Sequence, residues 1–434
     1  MTETSPDQLS ADDERILGLE SDAIAGHTLK LLVLEPGAQS LEVSGLRDLV
    51  AGRLEREPRA TQRVELSRGD APHWVEDANF DIAGHVREQA FAGGGVDELW
   101  KVAGRIMSER LDHARPLWAL DLVGPLDDGR QAIVARIHHA MADGISCMRL
   151  LDAVLWDSES EAVLAAPGHG PSGERSGRAV SKGRLRELVD MPAAIWRELI
   201  GHATTSPLDR HIGAERSLAF VTTSLEDLKL IGGAVPGHVT VNDVLLAVVA
   251  GGLGRWWREA TARLPSIRAQ VPVSLHSRDA SDEEIGNRDS FLNVDLPIDE
   301  PDPIRRLERI NAETAKRKRL GDAVELYDFF HALGRLGPLG RFAERLAAAP
   351  GEFSLSVSNV PGPPAPVSVA GRRVESLGSV AEPAQRHALR VSALSCAGSI
   401  SVGLCTDPDA LPGIDRLAES LGEALAELRA AAIG

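Results

Sequence analysis

Apolar positions along the chain fall into strand-like runs that alternate with stretches of helical spacing. Leu29 to Leu34 (LKLLVL) predicts a strand ending at Pro36-Gly37, and Glu42 to Arg56 predicts an amphipathic helix stopped by Pro58. Val96 to Leu111 has helical spacing and leads into Arg115-Pro116-Leu117-Trp118. Two β-type runs follow, Trp118 to Val123 and Gln131 to Ile137, joined by the turn-like Pro125 to Gly129. From Gly144 to Trp156 the residues Ile145, Met148, Leu151 and Leu155 return at helix period.

The pattern then breaks. Ser158 to Gly183 is rich in Ser, Gly and Pro with little periodicity, which predicts a linker or crossover. A basic, amphipathic segment runs from Arg184 to Ile200. Beyond it, Ser217 to Thr223, Pro272 to Leu275, Phe291 to Pro297, Phe353 to Val357, His387 to Leu394 and Ser399 to Cys405 read as strands. Val241 to Trp257, Pro303 to Arg319 and Ile414 to Ala432 read as helices. The coarse expectation is two α/β halves, residues 1–157 and 216–434, joined by a crossover over 158–215.

Composition narrows the function classes. The 434 residues carry 47 Lys and Arg against 64 Asp and Glu, a formal charge of −17, which argues against a dedicated nucleic-acid binder. Aromatic residues, at 4%, supply few platforms for stacking single-stranded bases. Apolar and charged shares of 43% and 26% fit a globular chain, and the length suits two domains. Cys147, Cys396 and Cys405 are too few and too scattered for a disulfide framework or a zinc site. The N-terminus places acids where a secretory signal has Lys or Arg before an apolar run. The longest apolar stretch, Val244 to Gly254, falls well short of the ~20 residues of a membrane-spanning helix. The expectation is a reduced, cytoplasmic protein that touches membranes only peripherally.

The strongest local signal is His138-His139-Ala140-Met141-Ala142-Asp143-Gly144, at the end of one expected strand and the start of a helix. A histidine there, with an unperturbed pKa of ~6.5, can take a proton from an alcohol. Asp143 before a helix is also what a simple N-cap requires, and Gly144 permits a tight entry. A metal site on His139 and Asp143 lacks further ligands nearby. The G-x-S-x-G elbow, the Walker loop and a post-strand G-x-G-x-x-G are all missing, so serine-hydrolase, P-loop and Rossmann chemistry lack support.

HHAMADG resembles the HHxxxDG motif of acyltransferases with the chloramphenicol-acetyltransferase-like fold, variants of which occur in peptide-synthetase condensation domains, carnitine acyltransferases and plant acyltransferases. Pro116-Leu117-Trp118, Val241-Asn242-Asp243-Val244-Leu245-Leu246-Ala247, Val271-Pro272-Val273-Ser274, Gly286-Asn287-Arg288 and Ser358-Asn359-Val360-Pro361-Gly362-Pro363 stand in the order seen in bacterial wax ester synthase/diacylglycerol acyltransferases. The C-terminal segment from Ala393 to Leu428 is similar to that family's end, so the resemblance runs from about Leu9 to Leu428. His276 stands where many members carry Arg, with Arg278 two residues on.

The resemblance implies two chloramphenicol-acetyltransferase-like domains, mixed sheets with flanking helices, joined by a crossover. It implies acyl transfer from acyl-CoA, a co-substrate, to diacylglycerol or a long-chain fatty alcohol, with no cofactor and no metal. His139 would be the general base, acting through Nε2, His138 a support for its loop, and Gly144 part of the same catalytic turn. Asp143 would pair with an Arg, with Arg278 and Arg288 as candidates. Asn242 would reach the catalytic cleft, next to Asp243, whose position also suits a helix cap. Trp118, Ser358 and Asn359 would line substrate, and Asp243, Arg278, Asn287 and Arg288 would support the site. Arg175, Arg178, Lys182, Arg184 and Arg186, ahead of an apolar stretch with Trp196, would dock the chain on a lipid-droplet or inner-membrane surface. Three rivals stay open: a condensation-type enzyme using carrier-protein thioesters, a transferase for polyketide-derived alcohols, and a non-catalytic lipid-droplet protein. Acceptor, chain length and oligomeric state are open at this level.

Overall fold

The computed structural model describes residues 8–66, 72–157, 206–260, 263–274, 289–320 and 353–434. In chain order the first half contains α1 (Ala11–Gly18), β1 (His27–Leu34), α2 (Val43–Ala51), β2 (Gln62–Glu65), β3 (His73–Glu76), α3 (Ile82–His85), β4 (Val86–Glu88), α4 (Val96–Ser108), β5 (Trp118–Val123), β6 (Gln131–His138) and α5 (Gly144–Val154). The second contains β7 (Ser217–Ser224), α6 (Leu225–Ala234), α7 (Val241–Ala260), β8 (Ile267–Ser274), β9 (Asp289–Leu296), α8 (Pro303–Leu320), β10 (Leu355–Val360), β11 (Ser368–Val369), β12 (Arg372–Ala381), β13 (Leu389–Cys396), β14 (Ser399–Thr406) and α9 (Ile414–Ile433). The strand expected at Pro272 to Leu275 is the end of the longer β8. The helix expected to reach Arg56 stops at Ala51, where Gly52 follows, and short 3-10 turns at Leu54–Arg56 and Pro58–Thr61 continue the chain.

Each half builds one six-stranded mixed sheet, in the orders β11-β12-β1-β6-β5-β4 and β7-β14-β13-β10-β8-β9. Strands β1 and β6 are central, and all eight residues of each are buried, because core lies on both faces. On one face α4 packs Leu99, Val102, Ala103, Ile106 and Met107 against Leu29, Leu31 and Val33. On the other, α5 buries Cys147, Met148, Leu151 and Val154 with Leu32, Leu34, Ile133 and Ile137. The second half is organised around α7, whose residues Val244 to Ala250 are all buried and which packs against α9. A helix apolar on every side belongs inside a core, and this one is.

The division into halves by sequence does not hold strand by strand. β11 and β12 come from the second half yet complete the first sheet, β12 pairing antiparallel with β1. The sequence RRVESLGSVA gives no clean period because β12 lies between two layers and must be thin. A Cβ on Gly378 would come within 2.6 Å of the Phe220 ring on β7, so a larger residue would push the sheets apart. The expected linker from Ser158 to Gly183 and the basic segment from Arg184 to Ile200 lie outside the described residues.

Candidate active site

His139 stands in the turn between β6 and α5, where the chain leaves the centre of the first sheet. Side chains alternate along a strand, so the two histidines part company. His138 pairs with His27 and faces the α4 layer, while Ile137 pairs with Thr28 and faces the α5 layer with Leu32. His139, the next residue, lies just beyond the end of β6, its N–H held by the Gly26 carbonyl.

His138 is fully buried, with a contact at each ring nitrogen. The backbone N–H of Ala140 donates to its Nδ1 at 3.0 Å, which leaves the proton on Nε2, 2.8 Å from Glu20 Oε1. Glu20 also receives His113 Nε2 at 2.7 Å and Arg110 at 2.9 Å. Burial pushes the Glu20 carboxyl up, but the bonds from His113, His138 and Arg110 outweigh it and hold the group well below the usual carboxylate range. The same hydrogen bond from Glu20 raises the pKa of His113.

Gly26 closes this network. It adopts φ +76°, and a Cβ there would lie 2.2 Å from His138 Nε2, so a left-handed residue without a side chain is required. Its carbonyl accepts from His139 N–H at 2.9 Å. Its own N–H donates to Glu382 Oε2 at 2.7 Å, and Glu382 in turn meets Arg216 at 3.3 Å. Glu20, His113 and His138 have ligand atoms within 4.8 Å of one another, a spacing that could suit a metal ion. The tautomer argues against one: Nδ1 accepts a hydrogen bond from Ala140 N–H, so the proton sits on Nε2, which has no lone pair to give.

Among the described residues the His139 side chain has no such partners. It is partly buried, and burial, followed by the charges of Arg390, Lys30 and His138, pushes its pKa down to about 3. The imidazole is therefore neutral across the physiological range, which a general base requires. Cys147, one turn into α5, is buried, and burial raises its thiol to about 11 although Lys30 works in the other direction. Its sulfur faces the Ala142 carbonyl at 3.6 Å, so it is no thiolate nucleophile.

Asp143 does not pair with an arginine among the described residues. It is the N-cap of α5, accepting from Ser146 N–H at 2.7 Å, and it contributes an attractive charge to Lys30. Gly144 is the first residue of that helix, and a Cβ on it would lie 2.8 Å from Val360 Cγ2. The end of β10 therefore packs directly on the HHxxxDG turn. This brings Ser358 and Asn359 to the same region: Asn359 Nδ2 donates to Asn242 Oδ1 at 2.7 Å, and the Ser358 and Ser392 hydroxyls lie 3.3 Å apart.

Other expected residues take different places. Asp243 is buried and accepts from Thr240 N–H at 2.8 Å, Thr240 Oγ1 at 2.7 Å and Thr314 Oγ1 at 2.7 Å, tying the start of α7 to α8. Trp118 does not line substrate. It is 3% exposed, its indole donates to the Ala60 carbonyl at 2.8 Å, and it stacks on His85 with centroids 4.6 Å apart. Its β5 position puts it in the core on the far side of β6 from β1. Arg278, Asn287 and Arg288 lie outside the described residues.

Glu20, Gly26, Lys30 and Arg390 belong to no motif of the sequence. Lys30 sits inside LKLLVL and Arg390 inside the strand His387 to Leu394, so each charge interrupts an otherwise apolar strand. That interruption was the available signal. Glu20 and Gly26 gave none, since one Glu and one Gly in a loop are unremarked in any chain.

The site fits what the chain resembles. The model of the wax ester synthase/diacylglycerol acyltransferase catalytic domain matches residues 9–206, and that of the same family's C-terminal domain matches residues 285–429. A protein of Mycobacterium tuberculosis named a probable diacylglycerol O-acyltransferase is 30% identical over 402 residues, covering 87% of this chain and 86% of its own. A second so named from the same species is 28% identical over 457 aligned positions, covering 98% and 99%. Among solved structures, the wax ester synthase/diacylglycerol acyltransferase of Marinobacter aquaeolei superposes with a TM-score of 0.72 at 23% identity, over 98% of this chain and 99% of that one. The first condensation domain of the calcium-dependent antibiotic synthetase shares the fold at a TM-score of 0.60 and 15% identity, over 98% and 96%. Two-domain HHxxxDG architecture and near full-length relatedness converge: this chain is an acyltransferase and belongs to the wax ester synthase/diacylglycerol acyltransferase family.

Proposed function

We propose that the protein transfers a fatty acyl group from acyl-CoA to the free hydroxyl of diacylglycerol, making triacylglycerol, with long-chain alcohols as a second acceptor class. The observation that carries this reading is His139: a neutral histidine, at the start of the α5 turn, facing the junction of two sheets. The imidazole takes the acceptor's hydroxyl proton as its oxygen attacks the thioester carbonyl. The C–O bond forms and the carbonyl π pair moves onto oxygen. When that pair returns, the C–S bond breaks and the sulfur leaves with its electrons, receiving the proton back from His139. The inert Cys147 supports direct attack within a ternary complex over an acyl-enzyme.

Diacylglycerol partitions into lipid, so the protein works at a lipid surface. Among the described residues no helix is long and apolar enough to cross a membrane, which leaves peripheral contact as the simplest route. The cluster Arg175, Arg178, Lys182, Arg184 and Arg186 is the sequence feature best suited to an anionic surface.

The test is an acceptor panel. The purified chain is given palmitoyl-CoA with dispersed diolein, hexadecanol or no acceptor, and products are resolved by mass. Triacylglycerol should form fastest and hexadecyl palmitate more slowly. Free palmitate as the main product in every arm would overturn acyl transfer to alcohols. Exclusive hexadecyl palmitate would overturn diacylglycerol as the acceptor.

A further inference from the structure

Lys30 is a buried lysine whose pKa burial lowers, with no ion-pair partner among the described residues. It lies at the middle of β1, is 2% exposed, and its Nζ donates to Thr28 Oγ1 at 3.1 Å and Ser379 Oγ at 2.6 Å. Both partners are neutral hydroxyls held by the sheet, Ser379 sitting directly across the β1–β12 ladder. An ammonium has three N–H donors, so one remains, and no carboxylate lies within ion-pair distance among the described residues. Other buried cations of this fold are treated differently: Arg136 meets Asp121 at 3.3 Å and Arg216 meets Glu382 at 3.3 Å. Burying a charge without a counter-charge is costly, and a fold that retains one places it where a negative charge arrives.

A second cation faces it from the other sheet. Arg390 stands on β13 opposite Ser356 of β10, and its Nε–H is buried with no hydrogen-bond partner among the described residues. It makes no ion pair there either. The Lys30 ammonium reaches along β1 to Thr28, which pairs with Ile137 two residues before His139, and Gly26, two residues before Thr28, holds the His139 N–H. The charges of Arg390 and Lys30 both lower the pKa of His139, behind burial. The groups facing this triangle are Asp143 and the neutral Cys147 on α5, Cys405 on β14, and Glu382, already engaged by Arg216 and two backbone N–H groups. The triangle is thus rich in positive charge beside the group that would take the proton.

We propose that Lys30 and Arg390 form an anion site beside His139 that stabilises the oxyanion formed when an acceptor oxygen attacks the acyl thioester. The proposal rests on the acyl-transfer reading above. As the carbonyl π pair moves onto oxygen, the free Lys30 N–H and the unpartnered Arg390 N–H become its donors, in a water-poor junction where such interactions act most strongly. The charge exists only in passage, so the ground state tolerates an unpaired site that the intermediate fills. Ser379 and Thr28 are positioning residues: they aim the ammonium without neutralising it. Burial first, and the same two cations after it, lower the pKa of His139, so one arrangement bears on both base and anion site.

The test compares the parent with Lys30→Met and Arg390→Met, each replacing a cation by an apolar chain of similar length. With palmitoyl-CoA and diolein, kcat should fall ~10²–10³-fold, the usual loss on removing one oxyanion donor, while KM for palmitoyl-CoA stays within about threefold. The melting temperature of Lys30→Met should hold or rise, because a buried unpaired charge has been removed. The acid limb of kcat/KM should move to higher pH in both variants. Arg390→Lys, which keeps the charge, should stay within about tenfold of the parent. A kcat within threefold of the parent in either Met variant overturns the proposal. So does a raised KM at unchanged kcat, which would make the cations a ground-state binding site, and so does unfolding of Lys30→Met, which would make the lysine scaffold. An inactive parent would instead sink the acyl-transfer reading itself.

Discussion

The two faces of strand β6 handle buried charge in opposite ways. On the α4 side, His138, Glu20, His113 and Arg110 form a closed network in which each charge meets a partner. On the other side, His139, Lys30 and Arg390 face one another with no carboxylate in ion-pair reach among the described residues. One network is closed among the described residues, and the other is not. Satisfied polar groups fix a structure, whereas unsatisfied ones are candidates for function. The adjacent histidines of one motif thereby differ: His138 lies in the closed network, and His139, in the proposed reaction, is the base.

The sharpest way to break this comparison is to remove each histidine. His139→Ala should lose ~10²–10⁴ in turnover with its melting temperature unchanged, as expected for a positioned base. A thermal melt and a CoA-release assay on the same preparation decide it. Wild-type turnover in that variant would place the chemistry elsewhere.

Gly26→Ala attacks the closed side. Its Cβ would overlap His138 Nε2 at 2.2 Å in a backbone conformation that alanine disfavours, so both stability and activity should fall. A folded, fully active alanine variant would show that the histidine ring has room to move.

Glu20→Ala leaves the His138 Nε2–H buried without its acceptor, a loss of ~1–3 kcal/mol that denaturant unfolding would report. The pH dependence has a definite sign. The Glu20 carboxyl is depressed in the fold, so its contribution is present above its ordinary value of 4.5 and is lost as pH falls through the folded value. His113 is raised, so its contribution is full below its ordinary 6.5 and is lost as pH rises through the folded value. The network should therefore stabilise most between about 4.5 and 6.5. Glu20→Ala should lower stability within that window and flatten its losses on either side.

Asp143→Ala gives the smallest effect. Loss of an N-cap costs ~0.5–2 kcal/mol, less than breaking a buried ion pair would. A larger drop in melting temperature would mean that the aspartate holds more than the start of α5.

Much of this molecule was legible in its sequence. Strand β5 and the start of α4 fall where periodicity placed them, because apolar faces pack against one neighbouring layer and keep their period. The HHxxxDG turn was legible for a related reason: its chemistry sits on seven consecutive residues, so spacing alone displays it. Asp243 was readable as part of a helix start, but it stands inside the first turn of α7: Thr240 before the helix accepts from its N–H and donates its own N–H back to the carboxylate.

Only the tertiary structure decided the rest. The sequence leaves β12 in the second half, but sheet formation carries it into the first, since hydrogen bonding between strands ignores chain distance. It leaves the role of Asp143 open, and the structure shows it capping α5, while Arg278 and Arg288 lie outside the described residues. It shows Trp118 beside a motif, and a sheet that needed a large apolar residue buries it. It records Lys30 and Arg390 as 360 positions apart, and only the meeting of two sheets sets both charges beside one histidine. Local patterns fix local structure because their forces act between neighbours. A site assembled across two sheets depends on which distant surfaces exclude water together, and that is settled only when the whole chain has folded.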